Sequence, residues 1–566
     1  MTLDGELARL SRGWRGPALA ALVAFLAGLP GLIAVPPLDR DEARFAQATA
    51  QMLESRDFVV IRYQDQPRFK KPVGIHWLQA ASVSAFSSPE ARQIWAYRIP
   101  SLLGAMLAAA ACAWGAAGFF GAPAGMLAGA MLGTTFLLST EALIAKTDAT
   151  LCGATTLAMA ALARLYAEAR DGPPAGRRAW LLFWLGLSLG TLVKGPVAPM
   201  VAGLAIVLLC LLDRRTAWLG RLNVIWGLII LVAICGPWAG AVTVATDGGF
   251  WSAAVGGDLA PKLAGGQETH GAPPGYHALL APILMFPMTL MLPAAAVAAW
   301  TRWREPGVRF ALAWLIPTWL VFEALPTKLV HYTLPAYGAV AVLAAAALTA
   351  PIGGKTRWTG AALASFFGVA LAGGTFYLVK RYGDLSDLPF ATLAALLLAA
   401  AGVVGGYMLI RQAPPRAVVA AAGLGLAGHA ALAAGLAPRL QPLWLSSRVE
   451  RVMEKAQLMP DQGIADAPVT VAGYAEPSLV FALGTTTELA GPEDAAQAIY
   501  ENRPAVVEQR EEAGFQKALA GFHARAHLMG TVTGLDYSDG KKMTLRVYEA
   551  APGSPHVDAT ETGGQP

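Results

Sequence analysis

The hydrophobic positions of this chain are gathered into long runs, which short polar stretches separate. Thirteen mostly apolar segments precede position 437, and their lengths match the roughly 17 to 25 residues with which an α-helix crosses a bilayer. The segments cover residues 17–37, 98–119, 122–140, 149–168, 179–195, 197–212, 222–244, 277–300, 308–325, 331–350, 359–379, 388–410 and 417–436. The pattern predicts an α-helical polytopic membrane protein, in which the fifth and sixth segments form either two crossings or one broken crossing.

Composition agrees with this pattern. Of the 566 residues, 55% are hydrophobic and only 14% are charged, whereas soluble domains carry about 25% charged residues. We therefore expect membrane lipids among the partners of the chain, and no nucleic acid.

The basic residues are distributed over alternate loops, which sets the orientation because positive residues mark the cytoplasmic side. The inner segments hold Arg9, Arg12, Arg15, Arg170, Arg177, Arg178, Arg214, Arg215, Arg221, Arg302, Arg304, Arg309, Lys355, Arg357, Arg411 and Arg416. The opposite loops, near 38–97, 141–148, 245–276 and 326–332, contain mixed charge, His, Tyr and Pro. We expect the chemistry and the C-terminal part to face outward.

Three parts of the chain differ in composition. Residues 1–436 form the predicted membrane part, residues 437–550 a small soluble α/β domain, and residues 551–566 a disordered tail. The clearest local signal in the soluble part is "GTVTGLDYSDGKKMTLRVYEA", two alternating runs joined through Asp-Gly, which predicts a β-hairpin.

The first outer loop, residues 38–97, has predicted structure of its own. "DEARFAQATAQMLES" places Phe45, Ala48, Met52 and Leu53 on one helical stripe, as in a helix that lies in the membrane interface. "KPVGIHWLQAASVSAF" predicts a second helix, with Pro72 at its first position. Two such helices would roof a cavity at the lipid surface.

An acidic cluster opens this loop, in "PPLDRDEARFAQ". Asp39, Asp41 and Glu42 could cap the helix and complement its dipole. Because one acid suffices for capping, Asp41 is also a candidate general base, oriented by Arg44 at i+3. Asp148, in "AKTDAT", is a second candidate acid, or equally a helix N-cap.

Cations accumulate on the same outer side. They are Arg44, Arg62, Arg68, Lys70, Lys71, Lys146, Lys194, Lys262 and Lys328. Snorkelling to lipid headgroups explains most of them singly. It explains Lys194 and Lys328 poorly, because both stand between apolar runs beside proline or glycine, where an amine needs an anionic partner. Several cations that converge on one cavity would bind a phosphate.

Four histidines, His76, His270, His277 and His331, are predicted on the outer side. A metal site would need two or three of them together with a carboxylate such as Glu268. The spacing shows no tight ligand set, so we predict no cofactor and keep a divalent metal as the alternative. "GGQETHGAPPGYH" is expected to shape a substrate entrance.

Six motifs occur in one order along the chain: "DEARFAQ", "RFKKPVGIHW", "TLVKGP", "FPMTLMLP", "KLVHYTLPAYG" and "YAEPSLVFALG". In this order they resemble the ArnT-like, protein-mannosyltransferase-type branch of the GT-C glycosyltransferases. The resemblance implies a GT-C fold in a bacterial inner membrane, with the active site and C-terminal domain in the periplasm. It also implies inverting transfer of a sugar from a polyprenyl (undecaprenyl) phosphate to lipid A, another envelope glycolipid or a protein.

Residue roles follow from the resemblance and not from the spacing. Asp41 falls on the essential acid of the family. Arg44, Lys71, Lys328 and Tyr332 would contact the lipid phosphate. In the same way, Lys194 matches the family's Lys-Gly-Pro.

Three further residues, Glu42, His270 and His331, are assigned to the substrate entrance. The chain departs from the aminoarabinose transferases at Lys70, where they have an acid, and at Phe45, where they have Tyr. Both departures bear on which sugar the chain would transfer.

The alternative function is a transporter or flippase for an anionic lipid or sugar phosphate. Transporters tend to have internal repeats and helices broken near the membrane midplane. This chain instead gathers its polar residues at one face, which favours an enzyme. A third alternative, a membrane-anchored binding protein, gives no function to Lys194 and Lys328.

Overall fold

The computed structural model describes residues 3–259, 272–460, 468–536 and 540–554. Its α-helices are α1 Leu3–Leu10, α2 Arg15–Ala34, α3 Asp39–Ser55, α4 Gly74–Phe86, α5 Ile94–Phe120, α6 Ala122–Gly133, α7 Phe136–Glu141, α8 Asp148–Glu168, α9 Ala179–Lys194, α10 Val197–Asp213, α11 Val224–Ala245, α12 Gly249–Trp251, α13 Tyr276–Leu284, α14 Leu292–Thr301, α15 Pro306–Ala324, α16 Tyr337–Leu348, α17 Gly354–Tyr382, α18 Leu388–Ile410, α19 Pro414–Ala430, α20 Leu445–Lys455, α21 Pro477–Leu483, α22 Pro492–Tyr500 and α23 Glu512–Gly521. The strands are β1 Arg62–Tyr63, β2 Gln66–Pro67, β3 Thr470–Ala472, β4 Glu488–Ala490, β5 Ala505–Glu508, β6 Ala526–Leu535 and β7 Lys542–Ala550.

The predicted crossings are present as apolar helices. Within the described residues, 8 helices are long and apolar enough to span a membrane, and a pair bent by 111°, α13 with Met288–Thr301, adds a ninth candidate. Four shorter apolar helices are Ala122–Gly133, Ala179–Lys194, Val197–Asp213 and Leu334–Leu348. Each predicted segment overlaps one of these elements, and the chain is a multi-pass membrane protein.

Helix α8 is the most enclosed of these spans, with 89% of its apolar window buried. It packs closely against α5 because small residues meet there: a Cβ on Gly104 would lie 2.5 Å from the Cα of Thr150. Close approach of backbones through small residues is the usual packing of membrane helices. The first residue of α8, Asp148, is thereby held inside the protein.

The first outer loop forms the two expected helices, α3 and α4. The apolar stripe of α3 is buried, since Phe45, Ala48 and Met52 are each 5% exposed or less. Helix α4 begins at Gly74, two residues after the predicted first position. Between the helices, β1 and β2 pair as a short hairpin.

The C-terminal part of the chain, from α20 onward and called the sheet domain below, contains a five-stranded sheet in the order β4-β3-β5-β7-β6. Strand β3 runs parallel to β4 and β5, whereas β7 is antiparallel to β5 and β6. The β6–β7 hairpin is the one that the sequence predicts. One face of the sheet packs against α20 and α21, and the other packs against α22 and α23.

The sheet domain also contacts the segment 38–97. Helix α21 packs on α3, and Phe481 meets the ring of Tyr97 edge to face at 5.4 Å. The division of the chain at residues 436 and 437 stays a prediction. Of the tail predicted to be disordered, residues 555–566 lie outside the described residues.

Candidate active site

A cavity of about 1150 Å³, including the solvent at its mouth, opens between residues 70–72, helices α8, α9, α10, α12 and α15, and the 325–335 loop. Its polar lining consists of Lys70, Lys71, Asp148, Lys194, Thr327, His331 and Tyr332. Its apolar lining includes Leu151, Pro196, Val197, Phe250, Trp251, Ala254, Val255, Phe322, Leu325 and Pro335. A site with a cationic part and a long apolar wall suits an amphiphile with an anionic head.

Asp148 and Lys194 form an ion pair inside this cavity. The Lys194 Nζ lies 2.5 Å from the Asp148 Oδ1, and the two side chains are 13% and 5% exposed. Both charges suit their helix ends, because Asp148 begins α8 and Lys194 ends α9. The Lys194 ammonium also lies 5.5 Å from the ring centre of Tyr332, so it is fixed at the cavity wall.

His331 connects this pair to a second one. Its Nε2 lies 3.6 Å from Asp148 Oδ2, and its Nδ1 lies 3.7 Å from Glu141 Oε1. Glu141 Oε1 is in turn 3.4 Å from the Lys146 Nζ. Two carboxylates and one imidazole, with ligand atoms within 4.8 Å of one another, match a zinc donor set in type. Each carboxylate already has an ammonium beside it, however, so we assign no metal to this cluster.

Asp41 and Arg44 lie at the exposed start of α3 and are not among the described residues that line the cavity. The Arg44 Nη1 is 3.7 Å from the Asp41 Oδ1, and the side chains are 29% and 58% exposed. The two residues thus form an ion pair, and the orientation of Asp41 by Arg44 stays a prediction. A carboxylate this exposed is accessible to a large acceptor.

Two titratable groups behind α3 are held neutral by burial. His76 lies 2.9 Å from the Thr49 hydroxyl, and burial, assisted by Arg68, lowers its pKa to about 3. Burial raises the pKa of Tyr63 to about 12, with Arg44 and Arg68 opposing the rise. Neither group exchanges a proton near neutral pH, which leaves the exposed Asp41 as the better candidate base.

Glu42 differs from its predicted place at the entrance. It is fully buried and accepts hydrogen bonds from Arg98 Nε at 2.7 Å and Arg98 Nη2 at 2.8 Å. It also accepts one from the backbone N–H of Ala145, at 2.7 Å. A buried carboxylate needs such partners, and through them Glu42 ties α3 to the segment that precedes Lys146.

Lys328 differs in a similar way from its predicted contact with phosphate. Its ammonium donates to the carbonyls of Ala272 at 2.9 Å and Leu325 at 2.8 Å, and the residue is 5% exposed. It is not among the described residues that line the cavity. The amine is satisfied by backbone oxygens, so it holds the loop that carries His331 and Tyr332.

The same loop is held by His277, whose Nδ1 lies 2.6 Å from Glu323 Oε2 and whose Nε2 lies 3.1 Å from the Leu329 carbonyl oxygen. His270, predicted at the entrance, lies outside the described residues.

Comparison with known proteins places these features in a family context. Residues 70–239 match the family model described as dolichyl-phosphate-mannose-protein mannosyltransferase. The undecaprenyl phosphate-alpha-4-amino-4-deoxy-L-arabinose arabinosyl transferase of Aeromonas salmonicida is 27% identical over 319 residues, which cover 55% of this chain and 57% of that protein. The transferase of the same name from Pseudomonas aeruginosa strain UCBPP-PA14 is 27% identical over 399 residues, 68% of this chain and 70% of that protein.

Solved structures extend the likeness over almost the whole chain. ArnT from Cupriavidus metallidurans in the apo state superposes with a TM-score of 0.73 at 18% identity, over 96% of this chain and 98% of that one. ArnT bound to undecaprenyl phosphate gives a TM-score of 0.72 at 19% identity, over 94% and 96%. The chain has the fold of ArnT. The fold predicted from the six motifs is thereby confirmed.

Some residues of the candidate site could not be predicted from the sequence. Glu141 lies seven residues before Asp148 in "STEALIAKTDAT", and this neighbouring acid is the signal that the sequence offers for it. Phe250 and Trp251 form the apolar wall from a short helix outside the predicted crossings. Nothing in their local sequence separates them from membrane-interface aromatics.

Proposed function

We propose that the chain is a membrane glycosyltransferase that moves a sugar from a polyprenyl phosphate, such as undecaprenyl phosphate, to an acceptor. The observation that carries the proposal is the cavity itself, in which Lys71 and Lys194 stand at one part and Phe250, Trp251 and Phe322 form an apolar wall. The cations suit the phosphate. The wall suits the prenyl chain that is attached to it.

The comparisons support the same activity. The relatives are named as undecaprenyl phosphate-dependent transferases, and an ArnT structure of the same fold is described as bound to undecaprenyl phosphate. The alignment to the Aeromonas salmonicida relative spans 57% of that protein. The activity, the donor and the acceptor of this chain are therefore proposed from this similarity together with the cavity.

The proposed reaction is a single displacement at the anomeric carbon. Asp41 accepts the proton of an acceptor hydroxyl, the acceptor oxygen bonds to the anomeric carbon, and the bond from that carbon to the phosphate oxygen breaks. The electron pair leaves with the polyprenyl phosphate, whose added negative charge Lys71 and Lys194 stabilise. Attack opposite the leaving phosphate inverts the configuration of the sugar.

Asp148 has a supporting role in this proposal. Its carboxylate holds the Lys194 ammonium in place at the cavity wall through the 2.5 Å ion pair. Arg44 orients Asp41 at 3.7 Å. His331 and Tyr332 complete the wall beside the phosphate.

The proposed location is the bacterial inner membrane, with the cavity and the sheet domain in the periplasm. It rests on the basic residues that fall in alternate loops. Lipid A is the acceptor that the relatives suggest, with another envelope glycolipid or a protein as further acceptors. The proposed membrane part ends at residue 436, and the proposed soluble domain ends at residue 550.

The test compares envelope lipids and glycans by mass spectrometry in cells with the chain, without it, and with Asp41→Asn. We expect one sugar mass to be present on the acceptor only with the native chain. The Asp65→Asn variant is the matched control, because Asp65 is an exposed acid of the same loop. A polyprenyl phosphate sugar that changes leaflet without any sugar transfer would favour a transporter instead.

A further inference from the structure

A second cavity of the membrane part has no role in the proposed transfer of a sugar. It is a groove of about 1930 Å³, including the space open to its surroundings, and helices α10, α13, α14, α15 and α16 form its walls. It shares no lining residue with the cavity of the candidate active site. A ligand of the groove is therefore independent of the proposed function.

The sizes of the lining residues explain why the surface is concave here. None of the described residues that line the groove is charged. Trp300, Trp303 and Trp319 border it with large rings, whereas small side chains on α13 and α14 leave space between the helices. These small residues are Ala278, Ala281, Ala295, Ala296 and Ala299. A hydrocarbon chain would fill this space with favourable van der Waals contacts.

The groove extends to the helix ends that lie opposite the active-site cavity. Val197 begins α10 and lines the cavity, whereas Leu212, near the end of α10, lines the groove. On α15, Leu312 in the groove precedes Phe322 in the cavity by ten positions, about 15 Å along a helix. The loops that follow α10 and precede α15 are basic, so we expect this end on the cytoplasmic side.

Arginines surround the groove at this end. The Arg304 Cζ lies 5.3 Å from the ring centre of Trp303, which lines the groove. Arg309 joins the two helix ends, because its Nη2 donates to the Arg304 carbonyl at 2.9 Å and its Nη1 pairs with Asp213, the neighbour of Leu212. Arg304 and the residues after Leu212 thus lie at the same end of the groove.

The arginines at this end differ in their partners. Arg302 is held by Glu305, to which its Nε and Nη2 donate at 2.8 and 2.7 Å. Asp213 pairs with two other arginines of the chain. Arg304 and Arg214 are both exposed, and neither forms an ion pair with a carboxylate of the described residues. These two guanidinium groups are accessible to an anion.

We propose that the groove binds one anionic phospholipid, whose acyl chain lies along the alanines of α13 and α14 and whose phosphate meets Arg304, with Arg214 close by. Basic sites between membrane helices on the cytoplasmic side bind anionic headgroups. Trp300 lines the groove and is 85% exposed, as suits a tryptophan at the level of the headgroups. The apolar groove, the tryptophan and the arginines together match the two parts of such a lipid.

Two other kinds of lipid fit one part of the site but not the other. A zwitterionic phospholipid has an ammonium beside its phosphate, which the arginines repel. A polyprenyl phosphate places its phosphate at Lys71 and Lys194 in the proposed reaction, at the opposite ends of α10 and α15. Only its uncharged chain would reach the groove, and the arginines would gain no anion from it.

The experiment measures lipids bound to the purified full-length chain in detergent by native mass spectrometry. The probes are phosphatidylglycerol and phosphatidylethanolamine with identical acyl chains, each tested with and without undecaprenyl phosphate. We expect phosphatidylglycerol to bind at one site about tenfold more tightly than phosphatidylethanolamine, as for one charge-assisted contact. Undecaprenyl phosphate should not displace it.

Two pairs of variants locate the site. Ala296→Trp fills the groove from an exposed position and should abolish the tight binding of phosphatidylglycerol, whereas Val297→Trp, at an exposed position of the same helix outside the groove, should not. Arg304→Gln should remove most of the preference for phosphatidylglycerol. Arg177→Gln, which changes an exposed arginine predicted on the same side, should retain it. Thermal unfolding of each variant checks that it is folded.

Three outcomes would overturn the inference while leaving the proposed function in place. Equal binding of the two phospholipids by the native chain would show that the groove takes annular lipid without selection. Equal effects of the two variants in either pair would place the bound lipid elsewhere. Displacement of one phosphatidylglycerol by one undecaprenyl phosphate would assign the groove to the prenyl chain of the donor.

Discussion

Asp41 lies in the first turn of α3 and Asp148 begins α8, and the structure gives these two acids opposite surroundings. Asp41 is 58% exposed and lies 3.7 Å from Arg44, whereas Asp148 is 5% exposed and lies 2.5 Å from Lys194. An exposed ion pair contributes little to stability, so replacing Asp41 should change stability little. A buried ion pair is costly to break from one side, so Asp148 is suited to holding a cation.

The difference in exposure indicates that the two acids have different roles in the proposed reaction. In the proposed reaction, the exposed acid is accessible to the acceptor. The buried acid fixes a positive charge where a lipid phosphate would lie. Substitutions at the two positions should therefore fail in different ways.

The largest expected effect is at the buried acid. Asp148→Asn removes the partner of Lys194 and leaves its charge uncompensated, which should cost about 3–5 kcal/mol of stability together with donor binding. Thermal unfolding in detergent and the binding of undecaprenyl phosphate measure the two losses.

A matched control exists at the opposite end of α10, away from the cavity. Asp213 is 2% exposed and pairs with Arg170 and Arg309, far along α10 from the cavity. Asp213→Asn should lose stability but retain donor binding in the folded fraction. Equal retention of donor binding by Asp148→Asn would remove that acid from the site.

The exposed acid should show the reverse pattern. Asp41→Asn keeps the capping ability of the position but removes the carboxylate, so transfer should fall by about 10²-fold or more, the usual contribution of a general base. Stability and donor binding should change little. Transfer from the lipid donor is the measurement, and full activity of Asp41→Asn would reduce the acid to a helix cap.

The sequence predicts the membrane helices and the fold, but it does not predict the different surroundings of the two acids. The thirteen apolar segments are predictable because membrane helices must satisfy their backbone internally over a fixed thickness. The order of six motifs predicts the GT-C fold. Neither property depends on where an individual side chain points.

The surroundings of single charges are harder to predict. "DRDEAR" and "AKTDAT" both place an acid near a cation at a helix start, yet one acid is exposed and the other is buried. The partners that decide this, Lys194 for Asp148 and Arg98 for Glu42, lie 46 and 56 positions away in the chain. Local spacing contains no information about such contacts.

The motifs assign both Lys71 and Lys328 to the lipid phosphate, but the structure gives the two lysines different contacts. Lys71 lines the cavity, whereas Lys328 donates to two backbone carbonyls. Lys71→Ala should weaken donor binding by about one to two orders of magnitude, as expected for loss of a charge-assisted contact worth about 1.5–3 kcal/mol.

Lys328 should respond to size more than to charge. In Lys328→Ala the loop that carries Tyr332 loses its anchor, and we expect lower thermal stability with a smaller loss of binding than in Lys71→Ala. Lys328→Arg should recover part of the stability, since a guanidinium can also donate to carbonyls. Identical binding losses for Lys71→Ala and Lys328→Ala would return Lys328 to the phosphate.

The smallest expected effect concerns Glu450, which lies outside the cavity. Its titration must be separated from that of the two acids in any study of pH dependence. Glu450 is on α20 of the sheet domain, where burial, assisted by Glu454, raises its pKa to about 7. The folded state therefore binds a proton that the unfolded chain releases near its ordinary, lower pKa, so this contribution to stability is present at low pH and is lost as the pH rises toward 7.

Glu450→Gln should remove that dependence. Above pH 7 the variant should be more stable than the native chain by about 1 kcal/mol, allowing for partial solvent screening of the group, and its unfolding temperature should vary less between pH 5 and 8. Thermal unfolding of both chains over this range is the measurement. A transfer rate with the same pH profile in both chains would then report on the acids of the membrane part alone, whereas a profile that changes with Glu450→Gln would trace the pH dependence to the sheet domain and its packing on α3.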